Sequence, residues 1–208
     1  MAARATRRNS LLRVEIYVEG APEHLASECR KAFQAMFLKV GLAGRLPRVI
    51  PCGGRQEAYK DFCLASQEPG KIVLLLVDSE ERIADGHSKR SHVLQRTGDQ
   101  WPLPNGATED SLYFMVEAME SWLLGDTAAL SSYFRVPVNH VALPPAGNWE
   151  LKSKADLTNR LNAIARNTPK NEYKKGRDSF KILAMVNPQT LQQLPHAAAF
   201  FRRLLAVC

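Results

Sequence analysis

Long hydrophobic runs and paired cysteines are both missing from this chain of 208 residues. No apolar run approaches the roughly 18 to 20 residues that a helix needs to span a bilayer, so we expect no membrane partner. The four cysteines include no CxxC pair, which argues against a zinc site. The N-terminal arginines lead into an apolar pair that Arg13 and Glu15 soon interrupt. We therefore expect no secretory leader and predict a cytoplasmic protein with reduced thiols.

Charge is ordinary in amount but uneven in sign. Charged residues make up 24% of the chain and the formal net charge is +7, concentrated at the N-terminus and in the last third. A basic surface favours a polyanion such as nucleic acid, although charge alone argues only for non-specific attraction. The apolar fraction of 45% suffices for a core. We predict a flexible N-terminus (1–10), an α/β core (11–135) and a helical, basic C-terminal portion packed on it (136–208).

The stretch from residue 71 to residue 81 organises the rest of the chain. It reads KIVLLLVDSEE, six apolar residues in a row and then acids, which is typical of a strand covered on both faces in a parallel sheet. Asp78 and Glu80 would then stand at the edge where open α/β sheets bind ligands. If the strand geometry persisted, both carboxylates would point to the same side. The alternative is that polar residues merely end a buried strand.

The elements before this strand predict the fold class. Strands at 12–18 and 48–52 alternate with helices at 23–40 and 56–65, and this order favours an α/β fold with a mostly parallel central sheet flanked by helices. Glu19 directly follows the first strand. Because parallel strands end at one edge, we expect Glu19 to meet Asp78 and Glu80 there.

The later part of the chain reads as one long loop followed by helices. Residues 82–106 are polar and rich in glycine and proline, typical of a long functional loop. A strand at 111–115 runs into a helix that carries Glu117 and Glu120, spaced so that both can share a face. We favour Glu120 as a fourth member of the acidic cluster.

Basic residues are densest between residues 170 and 181. Those that we predict to contact nucleic acid are Lys174, Lys175, Arg177 and Lys181. A solvated face remains the alternative for this run. Arg55 follows two glycines at the start of a helix, where a phosphate could be cradled, although a plain turn explains the same residues.

Two short motifs resemble those of a known family. Val18-Glu19-Gly20 and Val77-Asp78-Ser79-Glu80 are similar to the acidic motifs of the TOPRIM domain. That domain is the metal-binding catalytic unit of type IA and type II topoisomerases, bacterial primases and overcoming-lysogenization-type nucleases. The family usually has aspartate where this chain has Glu80. Residues 119–126 and 173–179 extend the resemblance to a bacterial family of small TOPRIM-like proteins, often encoded beside ATPases.

This resemblance implies a Rossmann-like TOPRIM fold and Mg2+- or Mn2+-dependent hydrolysis of nucleic acid. Glu19 would be a metal ligand or the general base, while Asp78, Glu80 and Glu120 would hold the metal. Lys175, with Arg177 or Lys181, would contact phosphate. We see no second domain for a nucleophilic tyrosine, so hydrolysis is favoured over strand passage.

The expected partners are nucleic acid and an ATPase encoded nearby, in defence against foreign DNA. Two other functions stay open: a non-catalytic subunit that binds nucleic acid or the ATPase, and a hydrolase of small nucleotides. A homo-oligomeric state also stays open.

Overall fold

Four parallel strands form a single sheet at the centre of the fold. They are β1 (Arg13–Val18), β2 (Arg48–Pro51), β3 (Lys71–Asp78) and β4 (Leu112–Met115), in the spatial order β2-β1-β3-β4. The structure is a computed structural model that describes residues 12–137, 146–166 and 168–208. The predicted flexible N-terminus at 1–10 lies outside the described residues.

Strand β3 occupies the interior position that its sequence predicts. It pairs with β1 on one side and with β4 on the other. Its apolar residues alternate between the faces, so that Leu74 and Leu76 enter the larger core while Leu75 and Val77 enter the smaller one. Burial on both faces explains why the strand reads as an unbroken apolar run rather than an alternating one.

Helices cover both faces of the sheet. The described residues include the helices α1 (Ala26–Lys39), α2 (Arg55–Ser66), α3 (Lys89–Gln95), α4 (Glu120–Leu124), α5 (Thr127–Phe134), α6 (Lys154–Arg166), α7 (Arg177–Met185) and α8 (Pro195–Val207). Helices α2 and α3 contribute to the smaller core, and α1 packs with the later helices in the larger one. The predicted α/β class, with a mostly parallel sheet and a helical C-terminal portion, is confirmed.

The C-terminal helices complete the larger core. Helix α7 lies along α1, α6 packs against α4, and α8 packs against β4. Phe200 and Phe201 of α8 surround the fully buried Trp122 of α4. The segments that carry Lys154 and Lys175 are therefore fixed against the sheet.

Three local predictions are wrong. The segment 82–106, predicted as a loop, contains α3, whose start is capped by Ser88 accepting the N–H of Ser91. Only His92 and Val93 of this seven-residue helix are buried, so its sequence shows no helical period. Helix α4 begins at Glu120, so Glu117 precedes it and shares no helical face with Glu120. Strand β3 ends at Asp78, and Glu80 has a positive φ of 67°.

The order in which strands are added to the sheet reverses between β1 and β3, although all four strands are parallel. From β1 the chain proceeds to β2 at one edge, and from β3 it proceeds to β4 at the other. In open α/β sheets this reversal leaves a crevice outside the carboxyl ends of the two strands, where ligands bind. No helix among the described residues has the length and apolarity needed to cross a membrane.

Candidate functional site

Glu19 and Asp78 meet at the crevice between β1 and β3. Oε2 of Glu19 accepts a hydrogen bond of 3.2 Å from the backbone N–H of Asp78. Gly20 follows at a φ of +87°, a left-handed conformation that suits glycine and turns the chain away from the sheet. The prediction that Glu19 and Asp78 meet at one edge of the sheet is confirmed.

Arg55 holds Glu19 in this position. Its Nη1 donates to Oε2 of Glu19 at 2.9 Å, and its Nε and Nη2 donate to the two carboxylate oxygens of Asp99 at 2.7 Å each. The Arg55 side chain is only 12% exposed. Because most of its donors are used inside the protein, this placement argues against the predicted phosphate contact by Arg55 and makes it a support for Glu19.

Asp78 is buried with one oxygen held and the other facing cations. Oδ1 accepts the backbone N–H of Met119 at 2.8 Å. Oδ2 lies 3.7 Å from Nζ of Lys154 and 4.0 Å from Nζ of Lys175. Burial raises the pKa of Asp78 to about 7, and the nearby charge of Glu19 adds to the shift, while Lys175 opposes it.

Glu80 joins the site through Lys154. Nζ of Lys154 lies 2.6 Å from each carboxylate oxygen of Glu80. The main chain of Glu80 is fixed by its N–H, which donates to the carbonyl of Glu117 at 2.9 Å. Although the strand does not continue to Glu80, Asp78 and Glu80 still share one ammonium group.

Glu120 approaches the same place from α4 and is fully buried. Its Oε1 accepts the hydroxyl of Tyr173 at 2.9 Å, and that hydroxyl also lies 2.5 Å from Oγ of Ser179. Within the part of the chain that the structure describes, Oε2 of Glu120 has no hydrogen-bond partner, and it lies 3.6 Å from Nζ of Lys175. Burial and the charge of Glu120 raise the pKa of Tyr173, which keeps this hydroxyl a donor.

The predicted basic residues separate into two groups. Lys175 forms ion pairs with Asp78 and Glu120, and half of its side chain is exposed. Lys174 pairs with Glu172 at the surface, and Arg177 pairs with Asp178 at 3.1 Å. Lys181 is exposed on α7. Within the described part of the chain, Lys175 is the one of these four that forms ion pairs with the predicted acids.

A cleft of about 420 Å3 opens over the site. Its lining includes Glu19, Asp78, Lys154 and Lys175, with Met115 and Met119 on the apolar side. A cleft of this size, largely apolar with a few convergent polar groups, is typical of a binding site. Glu80 and Glu120 connect to this lining through the two lysines.

The acids do not form a closed metal cage. Among the described residues, no group of three or more histidine, cysteine, aspartate or glutamate side chains is arranged to hold a metal ion. The donor set nevertheless fits a hard divalent cation, because it consists of carboxylate oxygens. Among the described residues, the buried Oε2 of Glu120 has no hydrogen-bond partner, so this oxygen has a lone pair that a cation could use.

Two residues of the site have no signal that would have identified them in the sequence. Lys154 begins an ordinary amphipathic helix, and Asp99 lies in a polar segment with many similar residues. Both act through partners far along the chain, and without the fold nothing links them to the acids. Tyr173 begins the motif at residues 173–179, but nothing in that motif predicts its contact with Glu120.

Comparison with known proteins yields one family. No curated protein and no solved structure matches the chain. A family model matches residues 18–205, which include all the acids and lysines of the cleft. The chain therefore belongs to the family described as Domain of unknown function (DUF4276).

Proposed function

We propose that this protein hydrolyses phosphodiester bonds in nucleic acid with the help of Mg2+ or Mn2+. The observation that carries the proposal is the convergence of Glu19 and Asp78 at the crevice between β1 and β3. Glu80 and Glu120 reach the same place, each beside a lysine. A divalent cation bound there would stabilise the negative charge that develops on the phosphate and on the leaving oxygen.

Glu19 is suited to accept a proton from the attacking water. Burial raises its pKa, although Arg55 opposes the shift, and a more basic carboxylate is a better general base near neutral pH. The hydrogen bonds from Arg55 and from the N–H of Asp78 fix its Oε2. The carboxylate is therefore oriented before a substrate arrives.

Lys175 is suited to bind the phosphate. Its backbone is fixed by the turn before α7, where Gly176 donates its N–H to Oγ of Ser179 at 3.0 Å. Its ammonium lies at the cleft next to Asp78 and Glu120, and half of the side chain remains exposed. A charge placed there can pair with a phosphate oxygen without leaving the site.

The motif resemblance supports the choice of nucleic acid as the substrate. The TOPRIM-like motifs end β1 and β3, the two strands beside the crevice, and the late Tyr173–Lys175 motif meets Glu120 and Asp78. The same resemblance suggests an ATPase partner and a role in defence. The basic net charge of +7 favours a polyanion.

The test is cleavage by the purified full-length chain. Plasmid DNA, single-stranded DNA and RNA are incubated with Mg2+ or Mn2+, with and without the neighbouring ATPase. We expect cleavage that EDTA abolishes and that Asp78→Asn lowers at least about a hundredfold. Asp85→Asn is the matched control, because the Asp85 carboxylate is 95% exposed. Intact substrates under every condition would overturn the proposal.

A non-catalytic binding subunit is the second candidate. It is favoured by the pairing of the acids with protein cations, Glu19 with Arg55 and Glu80 with Lys154, because such pairs can be purely structural. This alternative predicts tight binding of nucleic acid or the ATPase without turnover, unaffected by Asp78→Asn.

A further inference from the structure

The ammonium group of Lys154 lies where the proposed function needs a divalent cation. Its Nζ is 2.6 Å from both carboxylate oxygens of Glu80 and 3.7 Å from Oδ2 of Asp78. A small hard cation that bridged these two carboxylates would lie close to the same point. The space between Asp78 and Glu80 is thus already filled by a positive charge of the protein itself.

Lys154 is anchored at its backbone, and its side chain is partly exposed. Its backbone N–H donates to Oε2 of Glu117 at 3.0 Å, which fixes the first residue of α6. The side chain is 34% exposed, and it lines the cleft. A lysine side chain has a flexible four-carbon stem. The ammonium can therefore leave Glu80 by side-chain rotation alone, while α6 stays in place.

Lys154 and a metal ion cannot both occupy this position. Two cations that share the same two carboxylates repel each other, and the repulsion is strong because Asp78 is buried away from water. With the ammonium moved aside, Asp78 and Glu80 would be left with a common unoccupied side.

We infer that Lys154 is an internal competitor for the metal, and that a divalent cation binds only by displacing its ammonium from Glu80 and Asp78. Lys154 then determines how tightly the site binds metal. This inference rests on the proposed function and adds to it a residue that sets metal affinity. The displaced ammonium remains in the cleft beside Lys175, where both lysines face an incoming phosphate.

The first test measures Mn2+ affinity of the full-length chain by isothermal titration calorimetry. Lys154→Met keeps most of the length of the side chain and removes its charge, so we expect Mn2+ to bind about tenfold more tightly or better. Lys154→Arg keeps a competing charge and should bind no more tightly than the wild type. Lys152→Met, at an exposed position two residues away, should leave the affinity unchanged.

The second test follows the lysine itself. In lysine-labelled protein, the Nζ resonance that Lys154→Met removes reports the ion pair with Glu80. This experiment uses Mg2+, because Mn2+ is paramagnetic and would broaden the resonance. We expect the resonance to move from its position in the metal-free protein to the position of a free lysine when the site is saturated with Mg2+. A resonance that stays at its ion-paired position in the Mg2+ complex would overturn the inference.

The two proposals fail in different ways. If the wild type binds Mn2+ and cleaves, but Lys154→Met binds Mn2+ no more tightly, the displacement is wrong and the nuclease proposal stands. If neither the wild type nor Lys154→Met binds Mn2+ or Mg2+, the metal site and the nuclease proposal fail together with this inference. If Lys154→Met does not fold, Lys154→Arg identifies the Nζ resonance of Lys154 instead, and the behaviour of that resonance in wild-type protein saturated with Mg2+ decides the inference.

Discussion

The backbone N–H of Asp78 donates a 3.2 Å hydrogen bond to Oε2 of Glu19, across the carboxyl ends of β1 and β3. The two residues are 59 positions apart in the chain, and the parallel pairing of their strands brings them together. The bond uses the backbone of Asp78 and leaves its carboxylate free to face Lys154 and Lys175. This one hydrogen bond therefore joins Glu19 to Asp78 without using the carboxylate of Asp78.

Asp99 should control the orientation of Glu19 through Arg55. Its carboxylate is fully buried and binds Nε and Nη2 of Arg55. Asp99→Asn removes one of the two carboxylates that pair with the buried guanidinium of Arg55 and leaves Glu19 as the other, so we expect the free energy of unfolding to fall by about 1–3 kcal/mol. Cleavage should fall as well, because Glu19 loses its fixed partner. Urea denaturation and the cleavage assay measure the two effects.

The matched control for this prediction is Asp85→Asn. Asp85 pairs with Arg82 at 3.4 Å in full contact with solvent, and such exposed pairs contribute about 0–1 kcal/mol. If Asp99→Asn were as stable as Asp85→Asn, the buried Arg55–Asp99 pair would not be the support that we describe.

The stability of the metal-free protein should depend on the ionisation of Asp78. Its pKa is raised to about 7 in the folded protein, because burial and the charge of Glu19 disfavour the carboxylate. Between about pH 4 and pH 7 the unfolded chain is ionised here while the folded chain holds a proton, so stability falls as the pH rises. Asp78→Asn removes this loss and still accepts the N–H of Met119.

We therefore expect Asp78→Asn to gain stability relative to the wild type as the pH rises from 4 to 8. In EDTA, the gain at pH 8 should be on the order of 1–3 kcal/mol, measured by denaturation at each pH. A difference between the two proteins that does not change with pH would contradict the raised pKa.

Tyr173 should stabilise Glu120 in the absence of metal. Tyr173→Phe removes the hydroxyl that donates to Oε1 of Glu120, and Oε2 has no hydrogen-bond partner among the described residues. We expect a loss of about 1–3 kcal/mol, since a buried carboxylate is left without a donor. Added Mn2+ should restore part of this loss, as followed by thermal denaturation with and without the metal.

Tyr133→Phe is the comparison for Tyr173→Phe. The Tyr133 hydroxyl donates to Oδ1 of Asp178 at 2.8 Å, and Asp178 keeps further donors in Lys174 and Arg177. We expect a smaller loss, and none of it should be restored by Mn2+. Equal restoration in both variants would show that the metal does not act through Glu120.

Substitution of Lys175 should lower the rate of cleavage far more than substitution of its neighbour Lys174. Lys175→Met removes the ammonium beside Asp78 and Glu120 and should lower cleavage about a hundredfold. Lys174→Met removes only a surface pair with Glu172 and should lower cleavage less than about twofold. Rates on one DNA substrate at fixed salt make the comparison. Equal losses would indicate a general electrostatic role for the basic segment.

The sequence predicted the part of the site that lies on the sheet. The apolar run before Asp78 and the alternation before Glu19 identify two parallel strands, and parallel strands must end at one edge. This reasoning needs only hydrophobic pattern and topology. It therefore placed both acids correctly, although the strand geometry assumed for Glu80 was wrong.

The parts that could not be predicted depend on tertiary contacts. The two glycines before Arg55 allow either a phosphate contact or a plain turn, and neither interpretation foresees that the buried Asp99 accepts two of the N–H groups of Arg55. Lys154 enters the cleft because α6 packs against α4. No local pattern encodes either contact, since the partners come from distant segments whose arrangement is set by the core.

Diffraction from crystals of the full-length chain grown with Mn2+ tests the central claim most directly. We predict an anomalous peak between Asp78 and Glu80, with Glu19 and Glu120 around it and oxygen distances of about 2.0–2.2 Å. The ammonium of Lys154 should then be displaced from Glu80. The absence of a peak at this position at saturating Mn2+, with Lys154 still bound to Glu80, would contradict the account.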